Sequence, residues 1–141
     1  MRISYRLAAA MIACGAMAAT ATIADAGHKK GHKGSCPELN RIDPDNDGAM
    51  TIWEAKRRAL VVFASLNKDK DRTLEMTELK GRISKKQFAA ANPDKDGSLD
   101  RLEWLRLVTS MFRQANKDGD RTIECDELAK GPGKTLYHLL K

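Results

Sequence analysis

Apolar residues recur at helical spacing in two segments of equal length, 55–66 and 104–115. Neither segment contains a residue that breaks a helix, so each is predicted to be an amphipathic helix. Each has twelve residues, and twelve residues of helix rise about 18 Å. The apolar positions are Leu60, Phe63, Leu66, Leu105, Val108, Met111 and Phe112. We therefore expect an all-α protein built on short helices.

Two further helices are predicted between and after these segments. Ser84 and Gln87 have capping-box spacing, so a helix should begin there after a chain reversal at residues 81–84. A short helix is also expected at residues 134–141, after Gly131-Pro132-Gly133, with Leu136, Leu139 and Leu140 packed back. Four residues that each lie four positions before a polar segment are predicted to be core: Leu39, Phe63, Phe88 and Phe112.

The polar segments between these helices form four repeats, which we call loops one to four. They begin at residues 43, 67, 92 and 116, a period of 24 or 25 residues. Their sequences are DPDNDGAMTIWE, NKDKDRTLEMTE, NPDKDGSLDRLE and NKDGDRTIECDE. Each fits the twelve-residue EF-hand loop, D-x-[DN]-x-[DN]-G-x5-E, or departs from it at a defined position. Four matches at one period predict a compact four-EF-hand helical domain whose consecutive loops share short helices.

The residue types at alternate positions suit a hard cation. A calcium-sized ion takes six to eight oxygen ligands, and a curled loop supplies them from positions 1, 3, 5, 7, 9 and 12. Position 7 offers its backbone carbonyl, position 9 binds directly or through water, and glutamate 12 offers both carboxylate oxygens. The predicted ligands are Asp43, Asp45, Asp47, Ala49, Thr51 and Glu54; Asn67, Asp69, Asp71, Thr73, Glu75 and Glu78; Asn92, Asp94, Asp96, Ser98, Asp100 and Glu103; and Asn116, Asp118, Asp120, Thr122, Glu124 and Glu127.

Position 6 divides the loops into two kinds. It usually requires glycine for a sharp turn, and Gly48 and Gly97 meet that requirement in loops one and three. Loops two and four have Arg72 and Arg121 there, and a side chain at positive φ costs roughly 1–2 kcal/mol. We therefore expect loops one and three to bind metal more tightly than loops two and four.

The spacing also predicts how the loops pair. Only one helix separates loop one from loop two, and loop three from loop four, so these neighbours cannot pair like an ordinary two-helix EF-hand pair. The reversal at residues 81–84 would bring loops two and three together, which leaves loops one and four to each other. The apolar residues at position 8, where paired loops share a strand contact, are Met50, Leu74, Leu99 and Ile123.

The acidic residues are concentrated in the four loops. The chain has 25 basic and 19 acidic residues, and 17 of the acids lie in the four loops. Because the loops use the acids and no nucleophile–base set is visible, we expect no enzymatic activity. Basic runs such as Lys56-Arg57-Arg58 are interpreted as solvated helix faces. The expected partners are metal ions, with no nucleic acid and no membrane after signal cleavage; any protein partner is unidentified. A monomer is favoured, with a metal-linked dimer as the alternative.

Residues 1–26 have the order of a cleaved signal peptide. Arg2 and Arg6 precede an apolar stretch at residues 7–24, and small residues flank a cleavage point after Ala26. Export to the periplasm or outside the cell is expected; an uncleaved anchor and a lipoprotein acylated at Cys14 are less favoured. Residues 27–36 would be a flexible basic segment, and 37–141 the metal-binding domain. Cys36 and Cys125 would form an internal disulfide, bridge two molecules or stay free.

The mature chain resembles the lanmodulin family of periplasmic lanthanide-binding EF-hand proteins. The likeness rests on the signal peptide, the loop period, Pro44 and Pro93 at loop position 2, the segment 78–84 and the tail 128–141. It implies selective binding of trivalent lanthanides and folding driven by the metal. The family has proline at position 2 in most loops, where this chain has Lys68 and Lys117 in loops two and four.

These observations predict an exported EF-hand protein that folds on binding up to four hard cations, for uptake or buffering. Ligand count alone does not separate Ca²⁺ from lanthanide(III) ions, so lanthanide binding is implied by the family resemblance. The alternative is a periplasmic calcium sensor or a calcium-stabilised protein-interaction module.

Overall fold

The computed structural model describes residues 36–141, so the expected signal peptide and nearly all of the basic segment lie outside the described residues. Within 36–141 a 3-10 helix at Leu39–Arg41 precedes five α-helices and four short strands. The helices are α1 (Ile52–Leu66), α2 (Lys85–Ala91), α3 (Arg101–Ala115), α4 (Cys125–Leu128) and α5 (Gly131–Leu140). The strands are β1 (Met50–Thr51), β2 (Thr73–Glu75), β3 (Ser98–Asp100) and β4 (Thr122–Ile123). The predominantly helical character is confirmed, with two small sheets added.

The two long helices begin inside the acidic loops. Thr51 is the N-cap of α1 and Asp100 the N-cap of α3, and each forms a capping box with the glutamate three residues later. The last three loop positions therefore make the first turn, which lengthens both helices beyond the predicted segments. α2 begins at the predicted capping box of Ser84 and Gln87. Among the described residues, no helix is long and apolar enough to cross a bilayer.

Two antiparallel sheets join the loops in the predicted pairs. β1 pairs with β4, with Met50 opposite Ile123. β2 pairs with β3, with Leu74 opposite Leu99. All four of these position-8 side chains are fully buried. The pairing of loop one with loop four, and of loop two with loop three, is therefore confirmed.

The core lies where α1, α3 and α5 pack against one another. Trp104 of α3 is fully buried, and its indole N–H donates to the carbonyl of Ala59 in α1 at 2.9 Å. Phe63 and Phe112 are buried as predicted. Phe88 is only partly buried, and no other residue of α2 is fully buried either. Leu60, an apolar position of the predicted helix, is 38% exposed.

The C-terminal helix starts earlier than predicted. α5 begins at Gly131 rather than residue 134 because Pro132 fits in the first turn, where its missing N–H costs nothing. Arg58 of α1 donates to the carbonyl of Leu140 at 2.8 Å. Arg82 donates to the carbonyls of His138 and Lys141 at 2.7 and 2.9 Å. Two arginines thus hold the C-terminal end of α5, where cations are favoured.

A disulfide joins Cys36 to Cys125, with Cα atoms 5.9 Å apart. The two residues are 89 positions apart in the sequence. Cys36 precedes loop one, and Cys125 lies within loop four, two residues after β4. Of the three possibilities for these thiols, the internal disulfide is confirmed. It joins the segment before loop one to loop four.

Candidate metal centres

The four acidic loops share one backbone course. In every loop the residues at positions 4 and 6 have positive φ, between 54° and 94°. The position-4 residues are Asn46, Lys70, Lys95 and Gly119, and the position-6 residues are Gly48, Arg72, Gly97 and Arg121. Arg72 and Arg121 thus adopt the turn that glycine adopts in the other two loops. Sequence reasoning missed position 4: Asn46 and Gly119 are residue types that adopt left-handed backbone, but Lys70 and Lys95 give no sign of it.

The carboxylates at positions 3 and 5 fold back onto their own loops in the same way four times. Each position-3 carboxylate accepts a hydrogen bond from the N–H of position 5, at 3.1–3.4 Å. Each position-5 carboxylate accepts from the N–H of position 7, at 2.8–3.0 Å. These contacts turn the acidic side chains inward along the curled backbone instead of leaving them spread over the surface.

Three of the loops gather carboxylate oxygens tightly enough to surround one cation. In each group the oxygens lie within 4.8 Å of one another. Two ligands about 2.4 Å from a shared calcium-sized ion are at most about 4.8 Å apart. The groups are Asp43, Asp45 and Glu54 of loop one; Asp69, Asp71 and Glu75 of loop two; and Asp118, Asp120 and Glu124 of loop four. Each of these groups could hold a metal ion.

Loop three differs. Within the described residues, Asp94, Asp96, Asp100 and Glu103 do not form such a group of three. Asp100 accepts from the N–H of Glu103 at 2.7 Å, and Glu103 accepts in return from the N–H of Asp100 at 2.9 Å. The two acids at positions 9 and 12 therefore hold the start of α3.

Buried oxygens at positions 1 and 12 have no hydrogen-bond partner in the described part of the chain. Two are the Oδ1 atoms of Asn67 and Asn92, residues that are only 9% and 3% exposed. Two are the Oε2 atoms of Glu78 and Glu127, and Glu127 is 8% exposed. Buried oxygens are nearly always paired, because an unpaired one loses its hydration without compensation. A cation coordinated by these oxygens would provide that compensation.

The residues at positions 7 and 9 either hold the acidic side chains in place, belong to the acidic groups or cap a helix. At position 7 the hydroxyls of Thr73, Ser98 and Thr122 donate to the position-5 carboxylates. The carbonyl of Thr122, a predicted ligand, accepts from the side-chain amide of Asn116 at 2.9 Å, which places it beside position 1. At position 9, Glu75 and Glu124 belong to the acidic groups, whereas Thr51 and Asp100 cap helices.

Burial and mutual repulsion alter the acidity of several of these groups. Burial raises the pKa of Asp43 above its ordinary value, with a further contribution from Asp45. Burial also raises the pKa of Glu124, and the nearby acids Asp120, Glu127 and Asp118 add to this effect. Hydrogen bonds from Thr73 lower the pKa of Asp71. Ionising several neighbouring carboxyl groups costs free energy because their charges repel, so a cation bound between them is stabilising.

No protein-family model and no curated protein matches this chain.

Proposed function

We propose that this chain is an exported EF-hand metal-binding protein that takes up to four hard cations, one in each acidic loop. The observation that supports this most strongly is that loops two and four each combine an acidic group with at least one buried, unpartnered oxygen at position 1 or 12. Loops one, two and four contribute acidic groups, and loops two, three and four contribute unpartnered oxygens. Every loop thus has at least one of the two features.

The chemistry of the ligand set favours Ca²⁺ and lanthanide(III) ions. All predicted ligands are oxygens, which suit hard cations, whereas zinc and copper sites draw on histidine and cysteine. Each loop offers four carboxylates, and electrostatic attraction grows with the charge of the ion. A trivalent ion of calcium size is therefore attracted more strongly. The resemblance to lanmodulin supports the same preference, and the role we propose is metal uptake or buffering rather than catalysis.

Export is part of the proposal. The order of charges and apolar residues in 1–26 supports a signal peptide, and the disulfide between Cys36 and Cys125 is typical of proteins in oxidising compartments. Mass spectrometry of the mature protein, purified from the periplasm or medium of the cells that produce it, tests this. A mature N-terminus at Gly27 is expected, and intact chain retained in the cytoplasm would contradict it.

Terbium luminescence is the deciding experiment for metal binding. Trp53 lies at position 11 of loop one and Trp104 follows position 12 of loop three, close enough to transfer excitation to bound Tb³⁺. We expect sensitised emission that saturates at up to four ions per chain and that survives Ca²⁺ in large excess. Displacement by near-equal Ca²⁺ would reject lanthanide preference and leave a calcium protein.

The matched control removes the position-12 carboxylates while keeping their size. A variant with Glu54→Gln, Glu78→Gln, Glu103→Gln and Glu127→Gln should lose the emission. Equilibrium dialysis of the unaltered protein that recovers neither Ca²⁺ nor Tb³⁺ would reject the proposed function altogether.

One surface favours the alternative of a calcium-dependent interaction module. Trp53 is 76% exposed, and it borders an open groove of about 640 Å³ between α1 and α3. The groove is lined by Trp53, Glu54, Lys56, Arg57, Leu60 and Leu105. A module of this kind would change the surroundings of Trp53 when Ca²⁺ binds, so Ca²⁺-dependent Trp53 fluorescence, with Trp53→Phe as the control, tests it.

A further inference from the structure

Most of the large apolar side chains that are exposed in the described part of the chain lie on one face. Trp53 is 76% exposed, Leu102 is 61% exposed and Leu60 is 38% exposed. All three line open grooves along α1 and α3, and the partly buried Leu105 lines two of the same grooves. Exposed apolar residues that cluster in this way are typical of interaction surfaces.

The grooves along this face are continuous. The groove beside Trp53, of about 640 Å³, shares Lys56 and Leu105 with a second groove of about 670 Å³. It also shares Leu60 with a third groove of about 350 Å³, which reaches loop two. A fourth groove, of about 470 Å³, shares Lys56 and Arg113 with the second and reaches loop four. We call the four together the α1–α3 groove.

The lining of the α1–α3 groove is basic. Eight basic residues line it, and among the described lining residues Glu54 is the one acid. The ammonium group of Lys56 lies 5.3 Å from the ring centroid of Trp53, so positive charge and apolar surface are interleaved. The five basic residues contributed by the helices are Lys56, Arg57, Arg101, Arg106 and Arg113, and the other three come from loops two and four.

The arginines at loop position 6 lie at the two ends of this groove. Arg72 lines the end at loop two together with Arg101, and Arg121 lines the end at loop four together with Arg113. Arg72 and Arg121 have φ of 78° and 81°, where glycine would be favoured. Residues held in unfavourable backbone conformations are concentrated at functional sites. A basic side chain at each end of the groove gives these two positions a reason to depart from glycine.

We propose that the α1–α3 groove is a docking site for an acidic amphipathic helix of another protein. The apolar stripe of that helix lies on Trp53, Leu60 and Leu102, and its acidic residues lie against the basic lining, with Arg72 and Arg121 at its ends. α1 has 15 residues and rises about 22 Å, so a partner helix of similar length spans the groove. The inference goes beyond the proposed function, because it assigns a protein partner and not a metal.

Shape and charge disfavour the other occupants. A second copy of the chain that docked through the same face would bring like charges together, because a two-fold interface uses one patch twice. A flat bilayer would reach the most exposed side chains, Trp53 and Leu102, but not Leu105, which is partly buried. Nucleic acid would pair with the cations through its phosphates and leave the apolar side chains without partners. A helix is convex and has both kinds of surface.

Synthetic peptides test this pairing of shape and charge. The first is a helical peptide of about 16 residues, without tryptophan, that has leucines along one face and glutamates on the others. In the second peptide lysine replaces every glutamate, and the third scrambles the first so that the leucine stripe is lost. Calorimetric titration into the purified protein, with its disulfide intact, gives the dissociation constants in excess Ca²⁺ and in chelator. Trp104 is already fully buried, so a change in tryptophan emission reports Trp53.

We expect the acidic striped peptide to bind, to shift the emission of Trp53 to shorter wavelength and to bind more weakly as salt rises. The basic and the scrambled peptides should bind roughly tenfold more weakly or not at all. Equal binding of the three peptides would overturn the inference. Tighter binding to phosphatidylglycerol vesicles or to duplex DNA than to the acidic peptide would overturn it in favour of a membrane or a nucleic acid. Because the peptide titration does not require a bound ion, failure of the metal proposal leaves this result interpretable.

Paired variants separate the groove from the overall charge of the protein. Arg72→Gln combined with Arg121→Gln should weaken binding of the acidic peptide roughly tenfold, since each exposed charge pair contributes up to about fivefold. Lys85→Gln combined with Lys86→Gln removes the same charge from α2, outside the groove, and should leave the dissociation constant unchanged. An equal loss in the two double variants would mean that only net charge attracts the peptide, and would overturn the inference.

A second pair of variants tests the apolar contact. Leu102→Ser should weaken binding of the acidic peptide roughly tenfold, because it removes an apolar side chain that the peptide covers. Val61 is 55% exposed but lies on another side of α1, beside loop one, so Val61→Ser is the matched control and should bind the peptide as the unaltered protein does. Equal effects of the two substitutions would contradict docking in the α1–α3 groove.

Discussion

At the scale of single residues, the loops show how much a short sequence pattern can specify. The inward hydrogen bonds at positions 3 and 5 follow from aspartate at those positions, because its short side chain reaches its own backbone two residues on. The sequence also indicated the strained turn at Arg72 and Arg121. It did not indicate the partner of the position-12 glutamate, which is the backbone N–H of position 2 in loops two and four and that of position 9 in loops one and three.

Replacing the arginine at position 6 tests the cost of that turn. Arg72 and Arg121 have φ of 78° and 81°, a region that favours glycine. We expect Arg72→Gly to raise the free energy of unfolding by about 0.5–1 kcal/mol, since relief of strain is partly offset by a more flexible unfolded chain. Thermal unfolding measures it. Arg72→Ala is the control, and an equal gain in that variant would assign the effect to the side chain instead.

The raised pKa of Glu124 predicts a pH dependence in the absence of metal. A carboxyl whose folded pKa lies above its unfolded value stabilises the fold at low pH, and that stability is lost as pH rises through the folded pKa. Glu124→Gln keeps the oxygen that accepts from Thr122 but removes the charge. In chelator it should therefore unfold at a higher temperature than the unaltered protein at pH 7 and at the same temperature near pH 3.

The control for this prediction is Gln114→Ala, an exposed uncharged side chain outside the loops. Because this change neither adds nor removes a titrating group, it should shift the unfolding temperature equally at pH 7 and pH 3. If Glu124→Gln instead lowers the unfolding temperature at pH 7, the repulsion from Asp118, Asp120 and Glu127 is not the dominant effect of that carboxylate.

At the scale of elements, helix starts were predictable where they depend on local hydrogen bonds. Ser84 and Gln87 gave α2 correctly, because a capping box lies within four residues of sequence. The start of α5 was missed because Gly-Pro-Gly usually marks a loop, and only tertiary packing shows otherwise. A Cβ at residue 133 would collide with the carbonyl of Glu127 and lie 2.7 Å from the Cα of Leu128. Glycine there lets α5 pack directly on α4.

Gly133→Ala should therefore disturb loop four through its last residue. We expect overpacking to cost about 1–3 kcal/mol of unfolding free energy. We also expect metal affinity to fall more at loop four, whose position 12 is Glu127, than at loop two. Thermal unfolding and loop-resolved NMR titration measure the two effects. Lys134→Ala, an exposed neighbour on the same helix, is the control; equal behaviour of the two variants would contradict the close approach.

At the scale of the whole molecule, the pairing of the first and last loops closes the chain on itself. That pairing was predictable by exclusion, because a single helix between consecutive loops prevents neighbours from pairing. The disulfide could not be derived in the same way, since the distance between Cys36 and Cys125 depends on how β1 meets β4 and how the preceding segment turns.

Removal of the disulfide tests its contribution to this closure. A crosslink across 89 residues stabilises the fold by about 4–5 kcal/mol in the chain-entropy model. Cys36→Ser combined with Cys125→Ser should lower the unfolding temperature markedly, and should weaken binding at loops one and four more than at loops two and three. Reductant should reproduce the loss in the unaltered protein and leave the double variant unchanged. A uniform loss over all four loops would mean that the crosslink acts on the whole core and not on that pair.

Metal binding should stabilise the whole fold, because the loops concentrate negative charge on a modest core. A ligand that binds only the folded state at 100 times its dissociation constant adds about 2.7 kcal/mol for each site. We therefore expect La³⁺ or Ca²⁺ to raise both helix content and unfolding temperature, as measured by circular dichroism. The variant with glutamine at all four position-12 sites should respond weakly. Since ions in paired loops share a sheet, the unfolding temperature should rise most steeply between one and two ions per pair. If excess La³⁺ and excess Ca²⁺ both leave the circular dichroism unchanged, metal binding is not coupled to folding.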